Sequence, residues 1–180
     1  MQFNIKKVSV EVIEGDLITI DSDAYVCPMN IKYNLNYGIG EVLSKYAGEE
    51  FLQSLKAKEN PEMGTVFAVR GGKLKAKYIL IAVIEDENHE VARENITKVM
   101  EHCFRLSDAM NLKSIAFPML GSPRSKVPYD TFTKLMVRST FNYFTTGNEG
   151  SLNMKFVLFN KELYHSFVDQ LNVLRQEFFI

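Results

Sequence analysis

Short apolar runs rich in β-branched residues alternate with longer segments of helical periodicity along most of this chain. Six runs predict strands, at residues 8–12, 24–27, 64–70, 78–84, 114–118 and 154–159. Four segments space their apolar residues as helices do, at residues 39–58, 91–110, 127–144 and 161–177, with a break near Gly48. Because strands and helices mostly alternate and no linker interrupts them, the pattern predicts one α/β domain over residues 1–180, with helices on both faces of the sheet.

The composition is that of an ordinary globular protein. Hydrophobic residues make up 46% and charged residues 24% of the chain, which excludes a disordered chain, a collagen-like chain and a small disulfide scaffold. With 21 basic and 22 acidic residues the net charge is -1. Bulk attraction to nucleic acid or to acidic membranes is therefore not expected, although a local basic patch stays open.

The cellular compartment can be predicted from the two cysteines and from the absence of long apolar runs. Cys27 and Cys103 are far apart and belong to no pair motif, so two buried thiols in a reducing compartment are expected rather than a disulfide. No run reaches the ~18 apolar residues of a membrane span, and the first residues lack the apolar core of a signal peptide. The protein is therefore expected to be cytoplasmic, with no membrane partner.

Ligands of α/β proteins bind outside the carboxyl ends of the central strands, so the loops after Val12, Cys27 and Pro118 carry the functional expectations. In the first loop, the Asp16 carboxylate could accept a hydrogen bond from an amine such as the exocyclic amine of adenine. A plain turn aspartate, or a cap on a short helical turn, is the alternative, and turn statistics alone favour it.

The second loop, residues 27–40, leads directly into a predicted helix, whose first backbone N–H groups suit an anion. Gly38 and Gly40 would let a ligand approach the backbone, and Asn30 could hold a ribose hydroxyl. An ordinary loop that uses Asn and Gly for its turns explains the same residues.

The third loop, residues 119–128, also ends at a predicted helix start. The hydroxyls of Ser122 and Ser125, with Arg124 and Lys126, could contact phosphate, and a solvated charged loop is the alternative. Pro123 has no N–H, so this loop offers one donor fewer than a glycine-rich equivalent.

Other chemistries find little support in the sequence. His89, His102 and His165 stand apart and form no metal spacing with the cysteines. Neither a serine nucleophile elbow nor a lysine-serine phosphate loop is present. No metal and no cofactor are therefore expected.

Four stretches, in order, resemble the macro domain family, which binds ADP-ribose. They are residues 14–26, with Gly-Asp-Leu-Ile-Thr and Asp-Ala-Tyr-Val, residues 27–48, residues 63–79, with Gly-Gly-Lys-Leu and Lys-Tyr-Ile, and the strand Ser-Ile-Ala-Phe-Pro at 114–118 with the loop after it. The resemblance spans residues 8–159. It implies a three-layer α/β/α sandwich with a central mixed sheet of about six strands.

The resemblance also implies roles by position. Asp16 and the Leu17 backbone would bind the adenine amine, Asn30 would face the distal ribose, and Phe159 or Asn160 would lie beside the base. The backbone near Gly38 would hold phosphate and ribose, and residues 121–126 would form a second phosphate loop. The implied ligand-binding residues are Asp16, Leu17, Asn30, Gly38, Ile39, Gly40, Gly121, Ser122, Arg124, Ser125, Lys126, Phe159 and Asn160.

This chain departs from the family pattern in its loops. Cys27 stands where the family has the first Asn of Asn-Ala-Ala-Asn, and Leu-Asn-Tyr-Gly at 35–38 replaces the glycine run. Gly40 stands where active hydrolases carry an Asp, and Pro123 stands where a glycine is usual. These changes weaken the expectation of hydrolysis most, of ADP-ribose binding next, and of the fold least.

Three functions follow as expectations. The first is a binding module for ADP-ribose or a related adenine nucleotide derivative, with an ADP-ribosylated protein as a further partner. The second is an ADP-ribosyl hydrolase or ADP-ribose ester-processing enzyme, in which Asn30 would act at the catalytic centre by orienting the ribose. The third is a remodelled fold for nucleic-acid or protein interaction, with Tyr33, Tyr37, Arg124 and Lys126 as its surface; nucleic acid is the less favoured partner.

Overall fold

A computed structural model describes residues 1–59, 61–121, 124–147 and 150–178 of the chain. The strands within these residues are β1 Gln2–Ile5, β2 Val8–Glu14, β3 Ala24–Asn30, β4 Val66–Arg70, β5 Tyr78–Glu85, β6 Ser114–Phe117 and β7 Asn153–Leu158. The helices are α1 Gly38–Ala47, α2 Glu49–Lys56, α3 Arg93–Ala109, α4 Tyr129–Thr145 and α5 Lys161–Phe178. A single 3₁₀ turn, Leu17–Thr19, follows β2.

All seven described strands belong to one mixed sheet. Their order is β1-β2-β7-β6-β3-β5-β4. The five strands from β2 to β5 pair in parallel, and β1 and β4 pair antiparallel at the two edges. Parallel strands point the same way, so the carboxyl ends of β2, β7, β6, β3 and β5 lie in a row along one edge of the sheet.

Helices cover both faces of this sheet, as the sequence predicted. On one face, α1 and α2 place Leu43, Phe51 and Leu55 against side chains of β3 and β5. On the other face, α3, α4 and α5 contribute Phe104, Phe141 and other buried side chains to a larger core. The three-layer α/β/α sandwich is therefore confirmed. The central strands are apolar along their length because they are covered on both sides.

The sheet has one strand more than the predicted six. Residues Gln2–Ile5 form β1, which pairs antiparallel with β2 and buries Phe3 and Ile5. This run of four residues carries only two apolar side chains and leads into two lysines, so its alternation is too short to recognise. The turn between β1 and β2 places Lys6 at φ 51.

The boundaries of the predicted elements shift by a few residues. The predicted helix break is confirmed, because Gly48 adopts φ 86 between α1 and α2. The strand expected from residue 64 begins at Val66, since Gly64 also lies at φ 86. The helix expected from residue 127 begins at Tyr129, after Pro128.

Within the part of the chain that the structure describes, no helix has both the length and the apolar character that a bilayer crossing needs.

Candidate functional site

The row of carboxyl strand ends begins with an exposed carboxylate and an exposed aromatic ring. Glu14 of β2 pairs with Leu158 of β7, and the Gly15 N–H donates to the Leu158 carbonyl over 2.9 Å. Asp16 and Phe159 therefore follow neighbouring strand ends. Asp16 is exposed, and Phe159 is 70% exposed, the largest exposed fraction among the big apolar side chains described. A hydrogen-bond acceptor and an aromatic face are thus available side by side.

Asp16 is held by the short helical turn that it caps. The Ile18 N–H donates to Asp16 Oδ1 over 3.2 Å, and the Thr19 hydroxyl donates to the Asp16 carbonyl over 2.7 Å. The cap uses one carboxylate oxygen, and no described residue donates to the other, Oδ2. The side chain of Leu17 is buried, so only its backbone can serve a ligand.

Tyr25 stabilises this turn through hydrogen bonds from its hydroxyl group. Its hydroxyl donates to the carbonyls of Ile20, over 2.6 Å, and of Ile18, over 3.3 Å. Burial of the phenol raises the pKa of Tyr25 to about 12, and the nearby charges of Asp21 and Asp16 add to the shift. The phenol therefore stays protonated and keeps donating throughout the neutral range.

Asn30 organises the second loop from the end of β3. The residue is 4% exposed, and its Oδ1 accepts the N–H groups of Lys32, over 3.1 Å, and Asn34, over 3.0 Å. This oxygen is therefore committed to the loop itself, a structural role that the sequence analysis did not foresee. No described residue accepts a hydrogen bond from Nδ2, which leaves that amide group for a ligand.

The start of α1 presents open backbone at one glycine and packed backbone at the next. Gly38 is exposed at φ 61, and no atom lies within 4 Å of where a Cβ would stand. Gly40 is buried, with Leu35 and Met29 side chains each 3.5 Å from its Cβ position. Of the three residues expected here, Gly38 and the half-buried Ile39 therefore reach the surface and Gly40 does not.

The third loop is anchored on α4. The Leu120 N–H donates to the Met136 Sδ over 3.5 Å, and a Cβ at Gly121 would lie 2.3 Å from a carbon of the Phe132 ring. Only glycine fits at this close approach. Beyond the anchor, Arg124 and Lys126 are exposed, and the Ser125 hydroxyl donates to the Val127 carbonyl over 3.5 Å. Two further residues of this loop, Ser122 and Pro123, lie outside the described residues.

The second and third loops meet. The Arg124 guanidinium lies 4.2 Å from the centre of the Tyr37 ring, a cation–π contact. Tyr37 immediately precedes α1 and is its N-cap, without a side-chain capping bond. The two helix-entry loops that the sequence singled out are therefore joined through these two side chains.

A cluster that the sequence analysis missed lies at the end of β5. The Tyr37 hydroxyl lies 3.2 Å from Glu85 Oε2 and 3.1 Å from His89 Nδ1, and His89 Nδ1 lies 3.1 Å from Glu85 Oε2. Glu85 is 5% exposed and pairs with Asn30 in the sheet. A glutamate directly after the apolar run at 78–84 was the available signal, because that strand end belongs to the same row.

The surroundings of Tyr37 keep its hydroxyl protonated. Burial raises the pKa of Tyr37 to about 12, the Glu85 charge and hydrogen bond raise it as well, and the Arg124 charge opposes them. The neutral phenol therefore donates a hydrogen bond to the buried carboxylate.

The described residues supply no evident metal ligand set. No group of three or more His, Cys, Asp or Glu side chains lies close enough together there to hold an ion. Cys27 and Cys103 are both free and fully buried, as the sequence predicted, and burial raises the pKa of each thiol. Neither thiol is poised as a nucleophile.

Comparison with known proteins adds a family and a set of similar folds. The sequence model of the Macro domain family matches residues 26–136. A mutant macrodomain of Oceanobacillus iheyensis solved with ADPR is 19% identical, with a TM-score of 0.88 over 98% of each chain. The same organism's macrodomain with ADP is 20% identical, with a TM-score of 0.85 over 98% of this chain and 97% of that one. A macro domain-containing protein of Caldanaerobacter subterraneus is 28% identical over 88% of this chain and 93% of its own.

Proposed function

Since this chain belongs to the macro domain family, we propose that it binds ADP-ribose or a related adenine nucleotide derivative in the row of carboxyl strand ends. The observation that carries the proposal is the pairing of exposed Asp16 with exposed Phe159 at the ends of β2 and β7. The solved macrodomains with ADPR and with ADP support the ligand class.

The base would occupy the end of the row formed by β2 and β7. Adenine would stack on the Phe159 ring and donate its exocyclic amine to the open Asp16 Oδ2, with the Leu17 backbone assisting. Asn160 contributes less, because its Oδ1 already accepts the Leu163 N–H over 2.8 Å at the start of α5. Because Asn160 directly follows Phe159, it would still lie next to the base.

The phosphates would lie between the second and third loops. The first N–H groups of α1, at Gly38 and Ile39, have no partner within the helix and favour an anion. Arg124 and Lys126, both exposed in the third loop, would add positive charge, and Ser125 belongs to the same loop. The ribose farther from adenine would then reach Asn30, where the amide Nδ2 would donate to a hydroxyl.

Calorimetry with ADP-ribose tests this proposal through Asp16→Asn. Asparagine keeps an oxygen that can accept the capping N–H, but it places an NH₂ group where the adenine amine needs an acceptor. Two hydrogen-bond donors, the asparagine NH₂ and the adenine amine, would then face each other. A hydrogen bond to a charged group contributes about 1.5–3 kcal/mol, so we expect binding weakened about tenfold or more. Phe159→Ala should weaken binding through loss of stacking.

Asp21→Asn is the matched control, because Asp21 is an exposed carboxylate just beyond the same turn. It should bind ADP-ribose as the unaltered chain does. The proposal fails if the unaltered chain releases no heat at millimolar ADP-ribose. If Asp16→Asn and Asp21→Asn bind ADP-ribose with equal affinity, adenine does not bind at Asp16.

Hydrolysis of an ADP-ribosyl bond is the second candidate function. Tyr37, Glu85 and His89 favour it, because they place titratable groups at the strand end next to Asn30. Asn30 would orient the ribose through Nδ2 rather than act on a proton. Release of ADP-ribose from a modified protein would test this function.

A remodelled surface for nucleic acid or protein is the remaining alternative. The contact of Arg124 with the Tyr37 ring favours it, since bulky side chains stand where the family has glycines. Nucleic-acid binding would fall steeply with salt, whereas binding of one small nucleotide depends on few ionic contacts. An ADP-ribosylated protein and a cytoplasmic location are the partner and compartment that we propose with the primary function.

A further inference from the structure

We propose that the free edge of β4 is a dimerisation surface, at which a second copy of this chain pairs its own β4 antiparallel to the first. β4 is the last strand in the order of the described sheet, and its one neighbour there is β5. This surface lies at the side of the sheet and not at the carboxyl strand ends, so its use does not depend on nucleotide binding.

The hydrogen bonds at both ends of β4 show which of its backbone groups face β5. The Val83 N–H donates to the Thr65 carbonyl over 3.0 Å, just before β4, and the Gly71 N–H donates to the Lys77 carbonyl over 2.8 Å, just after it. Both bonds fit the register of the two strands. In an antiparallel ladder, residues whose backbone groups face the neighbour alternate with residues whose groups face away. The residues of β4 that bond to β5 are therefore Phe67 and Val69.

The remaining residues of β4 turn their N–H and C=O groups away from the sheet. These residues are Val66, Ala68 and Arg70. No hydrogen bond with another described residue uses any of these backbone groups. Val66 and Ala68 are partly exposed, and Arg70 is exposed. Such a row of unpaired donors and acceptors is a template for another strand.

β4 carries little of the protection that sheet edges usually have. Natural edges are commonly protected by proline, by charged side chains or by bulges. The sequence of β4, Val-Phe-Ala-Val-Arg, has no proline and one charged side chain. That side chain, Arg70, places its guanidinium 5.5 Å from the centre of the Tyr78 ring on β5, so its charge lies over the neighbouring strand. The outer side of β4 is therefore open to pairing.

The opposite edge of the sheet is shorter and more polar. β1 has four residues, and the Val12 N–H donates to the Met1 carbonyl over 2.8 Å. By the same alternation, the residues of β1 that face away from β2 are Gln2 and Asn4. Both are polar and exposed. The two edges therefore differ in the apolar character that favours association, and β1 provides a matched control.

A two-fold axis through Ala68 pairs every outward group of β4 with one from the second copy. Ala68 would face the same residue of the second copy, and Val66 would face Arg70 of the second copy. Phe67 and Val69 would form an aromatic–β-branched pair, which stabilises antiparallel strands. The strand is thus complementary to itself, as an isologous interface requires. A second copy supplies this complement without any further partner.

Charge does not oppose this pairing. The net charge of the chain is -1, so two copies repel each other little. In the proposed register the two Arg70 residues lie at opposite ends of the strand pair, about 14 Å apart at the usual rise per residue. The helices that contact β4, α2 and α3, each carry acidic and basic side chains. Neither helix therefore presents a single sign of charge to its copy.

Pairing of this kind would make one continuous sheet from two copies. The two-fold axis of an antiparallel strand pair runs perpendicular to the sheet, so the carboxyl strand ends of the two copies would point in opposite directions. Neither proposed cleft would be covered. The affinity for ADP-ribose should therefore be the same in the dimer and in the monomer.

Sedimentation over a range of protein concentrations tests this proposal through Ala68→Pro. Proline has no N–H and is tolerated on edge strands where the N–H faces solvent, so β4 keeps its bonds to β5. We expect the unaltered chain to pass from the mass of one chain, 20.6 kDa, to that of two as its concentration rises into the high micromolar range. Ala68→Pro should weaken the dimer about tenfold or more. Asn4→Pro, which removes an outward N–H at the edge of β1, should dimerise as the unaltered chain does.

Amide hydrogen exchange tests the same edge without a substitution. The N–H groups of Val66, Ala68 and Arg70 should exchange about tenfold more slowly where the dimer prevails than where the monomer prevails. The N–H groups of Phe67 and Val69 already bond to β5, so they should be protected at both concentrations. If Ala68→Pro does not fold, this comparison decides.

Three results would overturn the proposal. The first is a chain that stays monomeric up to millimolar concentration. The second is a dimer that Ala68→Pro forms as readily as the unaltered chain does, or that Asn4→Pro weakens equally. The third is protection of the outward N–H groups only after an unrelated extended peptide is added, which would make the edge a peptide site.

Discussion

At the scale of single residues, Tyr37 connects three segments of the proposed cleft. Its hydroxyl reaches Glu85 and His89, and its ring faces Arg124. The sequence showed only that a bulky residue replaces a glycine of the family pattern. The structure shows that the Tyr37 side chain contacts Glu85, His89 and Arg124. These polar contacts compensate for the replacement of the family's glycine.

The tyrosines Tyr37 and Tyr25 should make stability depend on alkaline pH. Both have a folded-state pKa of about 12, whereas an unfolded tyrosine titrates near 10. The folded state therefore binds the phenol protons more tightly than the unfolded state does. Their contribution to the free energy of unfolding is fully present below pH 10 and is lost as the pH rises to about 12. Tyr37→Phe should lose less stability over this range than the unaltered chain in urea unfolding.

Tyr46→Phe is the control for that comparison, because Tyr46 is 50% exposed. It should follow the unaltered chain. The same alkaline loss in Tyr37→Phe and Tyr46→Phe would contradict the assigned surroundings of Tyr37.

Gly121 should not tolerate a methyl group. A Cβ there would lie 2.3 Å from the Phe132 ring, so Gly121→Ala must displace α4 or the loop. Overpacking of this kind costs about 1–3 kcal/mol of unfolding free energy. Gly15→Ala is the matched control, because its nearest atom would be 3.8 Å away. Urea unfolding that gives the two variants equal stability would refute the close approach.

At the scale of elements, the sequence predicted those that carry a local signal. The runs of β3, β5 and β6 are apolar and β-rich, and the helices show a 3.6-residue period, so both could be recognised. β1 is too short for its alternating pattern to be recognised. The cluster at Glu85 could not be assembled from the sequence, because it depends on β3 and β5 being neighbours and on the second loop folding back over them. Asp16 and Asn30 were found as candidates, and the cap that Asp16 forms was among the alternatives for that residue. The hydrogen bonds that Asn30 accepts from its own loop depend on the folded loop and could not be predicted.

The loop between β5 and α3 should depend on Asp86. Asp86→Ala removes the acceptor of two backbone N–H groups, those of Asn88 and Glu90. Hydrogen bonds to a charged group contribute about 1.5–3 kcal/mol each, and part of that loss should appear as local opening. Amide hydrogen exchange at Asn88 and Glu90 should therefore accelerate at least tenfold.

Glu87→Ala is the control within the same loop. Glu87 pairs with Lys32 over 3.0 Å, but both side chains are more than half exposed. Such a pair contributes about 0–1 kcal/mol, so exchange at Asn88 and Glu90 should stay near that of the unaltered chain. Equal acceleration in both variants would mean that Asp86 is not the organising side chain.

At the scale of the whole molecule, the sheet separates two cores. Cys27 belongs to the core under α1 and α2, and Cys103 belongs to the core under α3, α4 and α5. Each cysteine therefore reports on a different face of one shared sheet.

Both thiols should resist alkylation until the protein unfolds. They are fully buried, and burial raises the pKa of each, so neither access nor thiolate is available in the native state. Because the two cores share the sheet, we expect both cysteines to become reactive at the same urea concentration, as measured by mass spectrometry. Labelling of Cys27 well before Cys103 would show that one helical layer detaches first.

The order of the strand ends makes the two ends of the proposed cleft energetically separate. Neighbouring strands lie about 4.8 Å apart, so the four steps from β2 to β5 put the carboxyl ends of these two strands, beside Asp16 and at Glu85, roughly 20 Å from each other. Substitutions that far apart, with no shared partner, combine additively in free energy. If the chain binds its ligand along this row as proposed, substitutions at the end near β2 and at the end near β5 should therefore alter the affinity independently.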